Sequence, residues 1–245
     1  MALSASLALL AGAQKPSRGV PAYTLYVNRP IGRYLAALSH EVRLTPNQVT
    51  TISACLTTAG LLVLTLVRPS AGSSLVVAGL LAGGYAFDSA DGQLARLRGV
   101  GGPAGEWYDH VLDSAKTVAL HACVLVAAFR FLDAGTELLL LPLAFQLVAV
   151  VLFFSTVLTE QLLRQQPVAR PDAPARRLRP FLMLPVDFGL LCVALAFFGT
   201  GATFWWFYAL LFAGTAGFTL LYLAGAYRTL AAAGAPARAV LEEVR

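Results

Sequence analysis

Apolar residues run through this chain in long blocks, and short polar or glycine- and proline-rich breaks separate them. A hydrocarbon core about 30 Å thick takes roughly 20 apolar residues of helix. Six blocks reach that length: 49–67, 73–96, 106–131, 137–163, 180–199 and 203–226. The breaks are Arg68-Pro69-Ser70-Ala71-Gly72, the glycine-rich stretch from Gly99 to Gly105, the Pro- and Arg-rich stretch from Pro167 to Pro180, and Gly199-Thr200-Gly201. Gly and Pro mark turns because one frees the backbone and the other removes a donor. Residues 22–41 differ from these blocks. Tyr23, Tyr26, Ile31, Tyr34 and Leu35 are interleaved with Arg29, Arg33 and His40 at near-helical spacing, as in a helix lying on a membrane surface. The pattern predicts an all-α integral membrane protein with six transmembrane helices over 45–230, preceded by a cytosolic amphipathic helix at 22–41. Residues 1–21 are expected to be a flexible tail, because their apolar run is short and lacks a basic start for a secretory leader. Residues 231–245 read as a C-terminal tail.

Composition agrees with the pattern. Charged residues make up 13% of the 245 and the mean hydropathy is +0.69, against about 25% charged in soluble domains. A net charge of +5 would suggest nucleic acid in a soluble protein. Here it reads as arginine-rich loops beside anionic headgroups, and no nucleic-acid partner is expected. With the N-terminus cytosolic, every lysine and arginine except Arg68, Lys116 and Arg130 falls on the cytosolic side. Both termini then lie there, in the plasma membrane of a bacterium. The aromatic run Phe204 to Tyr208 reads as a membrane-interface marker. Cys55, Cys123 and Cys192 fall inside apolar blocks without metal-ligand spacing and read as buried thiols.

Against this background four aspartates stand out. Asp88 and Asp91 are three residues apart near the end of the second block. Asp109 and Asp113 are four apart near the start of the third. Either spacing puts a pair on one helix face, and an antiparallel helix pair across the glycine link would bring all four to one level. Like charges in an apolar setting need compensation. A hard divalent cation such as Mg²⁺ or Mn²⁺, or two of them, is the natural partner, and a metal pair suits phosphoryl transfer. Gly92 and Ala95 leave room for a ligand, Arg96 offers a cation to a diphosphate, and Gly105 leaves space for a flat ring one turn before Asp109.

Read as D-x2-D-G-x2-A-R-x8-G-x3-D-x3-D, residues Asp88, Asp91, Gly92, Ala95, Arg96, Gly105, Asp109 and Asp113 carry the signature of the CDP-alcohol phosphotransferases. Leu44-Thr45-Pro46-Asn47 resembles that family's lead-in to its first span, and the likeness extends from about Tyr26 to Arg228. The resemblance implies transfer of a substituted phosphoryl group from a CDP-linked donor to an acceptor hydroxyl, with release of CMP. It implies metal binding by Asp88, Asp91 and Asp109, with Asp113 completing a second metal site and acting as general base. It implies a CDP pocket lined by Gly92, Ala95, Arg96 and Gly105, a homodimer, and an active site open to the cytosol. A membrane setting favours CDP-diacylglycerol as donor and a polar alcohol as acceptor, in phospholipid synthesis. A soluble CDP-alcohol donor remains open within the family.

The acceptor is less legible. Arg164, Arg176, Arg177 and Arg179 could meet a phosphorylated acceptor or serve only the charge bias. Lys116 could point into the cavity or reach for the interface. Glu160 and Asp187 could line the acceptor side or pair with arginines. His40, His110 and His121 lack ligand spacing, and only His110 falls inside the motif. An intramembrane prenyltransferase would lack the D-G-x2-A-R continuation, and a transporter would carry its acids nearer mid-membrane.

Overall fold

The computed structural model describes residues 3–12, 19–165 and 178–243, with side chains described as far as residue 233. A short helix α1 (Leu3–Gly12) comes first. A π-helical turn at Thr24–Asn28 leads directly into α2 (Arg29–Glu41). Four long helices follow: α3 (Pro46–Leu66), α4 (Ala71–Arg98), α5 (Pro103–Phe131) and α6 (Thr136–Arg164). After the short pieces α7 (Arg179–Leu182) and α8 (Phe188–Leu195), α9 runs from Ala202 to Glu243, taking in most of the stretch expected as a C-terminal tail.

Local chemistry sets the helix ends. Thr45 accepts from the Gln48 amide while the Gln48 side chain caps Thr45, and Pro46 takes the first helical position. Ser70 and Ser73 form the same reciprocal cap on α4. Each cap satisfies amides that the helix cannot. Gly99, at φ +64°, stops α4 in a conformation that suits glycine, and Pro103 starts α5.

The protein is an all-α, multi-pass membrane fold. Helices α3, α4, α5, α6 and the Ala202–Ala233 stretch of α9 are each long and apolar enough to cross a membrane. The remaining predicted span, 180–199, crosses in pieces: α7, a 3₁₀ turn at Leu184–Val186, α8, and a second turn at Phe198–Thr200. Pro180 sits in the first turn of α7, Pro185 lies where the α-helical ladder gives way to the 3₁₀ turn, and Asp187 restarts the helix by capping the Gly189 amide. The segment lies along the first half of α4. Phe188 lies 5.1 Å from the Tyr85 ring, and the Gly199 amide donates to Ser74 Oγ at 2.9 Å.

Helix α3 packs on α4 through small residues. A methyl group on Gly84 would come 2.5 Å from Thr57 Oγ1 and 3.0 Å from the Ser53 carbonyl, and Ser53 Oγ donates to the Gly84 carbonyl. Such contacts stand in for the hydrophobic drive that lipid removes. Helices α4 and α5 are consecutive but do not pack side by side as the sequence suggested. Instead α3 lies against both, α5 packs on α6, and α8 packs on α4.

Two apolar clusters make up the core. The larger, including Leu81, Leu120, Val124, Phe145, Leu195 and Tyr208, fills the far half of the bundle. The smaller joins Leu10, Ala36, Ala37, Val49, Ala90 and Leu94 at the near end. Within the stretch expected as a flexible tail, 1–21, the described Leu3–Gly12 part is a packed helix: α1 buries Leu10 against α2 and α4, and Ser6 Oγ donates to Glu41 Oε1 at 2.8 Å. Cys55 corrects another expectation. It is exposed, while Cys123 is half-buried and Cys192 buried, because apolar positions on a spanning helix can face lipid as well as core. The aromatic run is also divided. Phe204 and Tyr208 turn into the core one helical turn apart, and Trp206 faces outward.

Candidate active site

Between the two clusters, α4 and α5 present their carboxylates to each other. Lys116 joins them: its ammonium lies 2.8 Å from Asp88 Oδ1 and 2.7 Å from Asp113 Oδ1. Asp91 interacts with both Asp88 and Asp109. All four aspartates thus converge as the spacing predicted, although side chains rather than packed backbones close the gap. Lys116 does not reach for the interface. It points into the site, and the Phe188 ring lies 5.8 Å from its nitrogen.

Asp91 is buried, with 6% of its surface exposed. Thr50 Oγ1 on α3 donates to Asp91 Oδ2 at 2.5 Å, and the Gly92 amide donates to Asp91 Oδ1. These bonds orient one carboxylate face and leave the other elements to supply charge. On α5, Asp109, His110 and Asp113 each place a ligand atom within 4.8 Å of the others. His110 Nε2 lies 3.7 Å from Glu106 Oε1.

The rest of the motif lies on the last turns of α4 and the first turns of α5. Gly92 lies under Arg96: a methyl group there would sit 3.3 Å from Nη1. A methyl group on Gly105 would meet Asn47 Oδ1 at 3.5 Å. Ala95 occupies the last turn of α4, where its carbonyl accepts from Gly99 and Val100. Helix α2 closes on this corner. Gln93 Nε2 donates to the Arg29 carbonyl at 3.2 Å, and the Arg29 guanidinium, lowered from its usual pKa by burial, lies close enough to Arg96 for the two charges to interact.

The remaining candidates separate. Arg164 donates to Glu106 at 2.6 Å and to Glu160 at 2.7 Å, tying the start of α5 to the end of α6. Glu160 is therefore an arginine partner. Arg179 is exposed at the start of α7, and Arg176 and Arg177 lie outside the described residues. Among the described residues, Asp187 takes no arginine: it accepts from the Thr24 amide and hydroxyl and from the Gly189 amide. His121 bonds Tyr208 Oη through Nδ1 at 2.6 Å, and His40 accepts from Arg98. Thr50, Asn47 and Arg29 are the site neighbours that the sequence did not single out, whereas His110 was already marked by its place inside the motif. The lead-in Thr45-Pro46-Asn47 was the one available signal for Asn47.

Residues 43–212 match the CDP-alcohol phosphatidyltransferase family across most of the membrane domain. The chain belongs to that family. No curated protein matches the chain. Membership makes this CDP-alcohol phosphatidyltransferase a membrane transferase acting on CDP-alcohols, and its site fits the metal dependence of the family. An ammonium group already bridges Asp88 and Asp113, so the pocket is built around positive charge, and the Asp109, His110 and Asp113 donors suit a divalent ion.

Proposed function

We propose that the protein transfers a phosphatidyl group from CDP-diacylglycerol to the hydroxyl of a polar acceptor alcohol, releasing CMP in phospholipid synthesis at the cytosolic face of a bacterial plasma membrane. The observation that carries this reading is the convergence of two phased carboxylate pairs around Lys116, on the same two helices that carry Gly92, Arg96 and Gly105. Asp88, Asp91, Asp109 and Asp113 would hold two Mg²⁺ or Mn²⁺ ions, which neutralise diphosphate charge. Gly92, Ala95 and Gly105 leave room for the cytidine diphosphate, and Arg96 with Arg29 faces its phosphates. The acceptor oxygen attacks the phosphorus that bears the diacylglycerol. The bond from that phosphorus to the bridging oxygen breaks, and CMP leaves with that oxygen. Asp113 takes the proton from the acceptor hydroxyl. Lys116, held against Asp113, is placed to meet a polar or phosphorylated acceptor. The reading includes a homodimer, testable by crosslinking in native membranes.

The test is CMP release by purified protein with Mg²⁺, CDP-diacylglycerol and a panel of glycerol 3-phosphate, inositol, inositol 1-phosphate, serine and phosphatidylglycerol. One acceptor is expected to support release. Asp113→Asn should lower the rate by roughly 10²- to 10⁴-fold and keep CDP binding. Release from soluble CDP-alcohols alone would replace the lipid donor. Failure to bind CDP would remove the reading.

A further inference from the structure

Asp187 is 2% exposed and lies inside the segmented crossing, where a carboxylate is costly unless its oxygens are satisfied. Capping α8 needs only the bond from the Gly189 amide, at 3.1 Å to Oδ1. Two further bonds arrive from Thr24. Its amide donates to Oδ2 at 2.8 Å and its hydroxyl donates to Oδ1 at 3.0 Å. The one hydroxyl hydrogen is thereby used, so in the 2.6 Å contact between Thr24 Oγ1 and Tyr85 Oη the tyrosine donates. Tyr85, Thr24 and Asp187 form an ordered chain across α4, the π-helical turn before α2 and the start of α8. Asn28, at the other end of that turn, donates to the Tyr85 carbonyl at 3.1 Å.

The chain grips Phe188 from both sides. Asp187 precedes it, and Gly189 follows it against the Tyr23 ring, which an added methyl group would overlap. The Phe188 ring lies 5.1 Å from the Tyr85 ring, whose hydroxyl Thr24 holds. The Lys116 ammonium sits over Phe188, 5.8 Å from its centroid, where the ring face attracts a cation. That ammonium bridges Asp88 and Asp113, and Asp88 follows Tyr85 by three residues on one face of α4. Two routes therefore lead from Thr24 to the carboxylates. One passes through Tyr85 along α4, and the other through Asp187 and Phe188 to Lys116.

A bond that only tied the crossing to α4 would serve anywhere along it, as the Gly199 amide and Ser74 do farther along the segment. The Thr24 chain instead converges on the ring that faces Lys116. Without the Thr24 hydroxyl, Asp187 loses one donor and Tyr85 loses its acceptor, and Phe188 is held by its neighbours' packing alone. We propose that Thr24 is a positioning residue for the acceptor end of the site: through Asp187 and Tyr85 it fixes Phe188, and through Phe188 the ammonium of Lys116. This inference rests on the reading above in which Lys116 meets the acceptor.

Thr24→Val tests it in the full-length protein, because valine removes the hydroxyl and keeps the branched shape and the amide bond to Asp187. With the acceptor that supports CMP release, the acceptor KM should rise roughly 3- to 30-fold. CDP affinity and the donor KM should stay within about twofold of wild type. Thr24→Ser, which keeps the hydroxyl, should stay within about twofold of wild type throughout. Tyr85→Phe, which removes only the first donor of the chain, should raise the acceptor KM by a smaller factor. Equal rises for donor and acceptor, or a serine variant as impaired as the valine variant, would overturn the assignment. Melting in EDTA supplies a readout independent of turnover. Thr24→Val should lower the midpoint, and in a Lys116→Met background it should lower it by less than about half as much. Full additivity would refute the coupling. Protein that turns over no acceptor while Thr24 and Lys116 still couple in EDTA removes the transfer reading, whereas normal turnover with additive melting removes only the role of Thr24.

Discussion

Among the described residues, Lys116 is the one cation placed between the two carboxylate pairs, and it touches a member of each. Its side chain is 11% exposed. Removing one partner of such a pair leaves charges with reduced solvation, at a cost of about 3 kcal/mol. For Lys116→Met the melting temperature in EDTA should therefore fall by about 6–12 °C, and saturating Mg²⁺ should recover most of the loss. An equal fall with and without Mg²⁺ would show that the lysine acts through packing alone. At this scale the sequence was partly transparent. Four acids at helical spacing in a chain poor in charge have few uses, so Asp88, Asp91, Asp109 and Asp113 were visible. Thr50 and Arg29 were not, because their meeting with Asp91 and Gln93 spans 41 and 64 residues and leaves no local pattern.

Among the elements, the α3–α4 contact sets the wall from which Thr50 reaches Asp91. Its closeness depends on Gly84, where added atoms meet Thr57 and the Ser53 backbone. Gly84→Leu should destabilise the protein by about 1–3 kcal/mol, read as a lower denaturation midpoint in detergent, with a parallel loss of activity as Thr50 withdraws. An unchanged midpoint would mean that the helices reseat without cost. The long helices were legible because apolar blocks of spanning length admit few alternatives. The broken segment was half-legible: Pro180 and Pro185 sit inside a run apolar enough to pass as a span, and only Asp187 restarting α8 shows where the ladder resumes. Helix α1 was hidden because its residues are apolar on every side, which gives no face to read.

For the whole molecule, the positive-inside pattern predicts that the α4–α5 link faces the cytosol and the α5–α6 link faces outward. In a background lacking Cys55, Cys123 and Cys192, a cysteine replacing Gly101 should react with an impermeant maleimide only in inverted vesicles. A cysteine replacing Asp133 should react only in intact cells. The reverse pattern would place the carboxylates outside and deny them cytosolic nucleotide. The segmented crossing also bears on how the protein is made. Short helical pieces leave backbone groups exposed at each break, and bare lipid cannot satisfy them. The Gly199 amide finds Ser74 on α4, and Asp187 finds Thr24 near the N-terminus. That stretch can settle in the bilayer only after partners made much earlier are in place, so biogenesis ends with the late half of the chain closing onto the first.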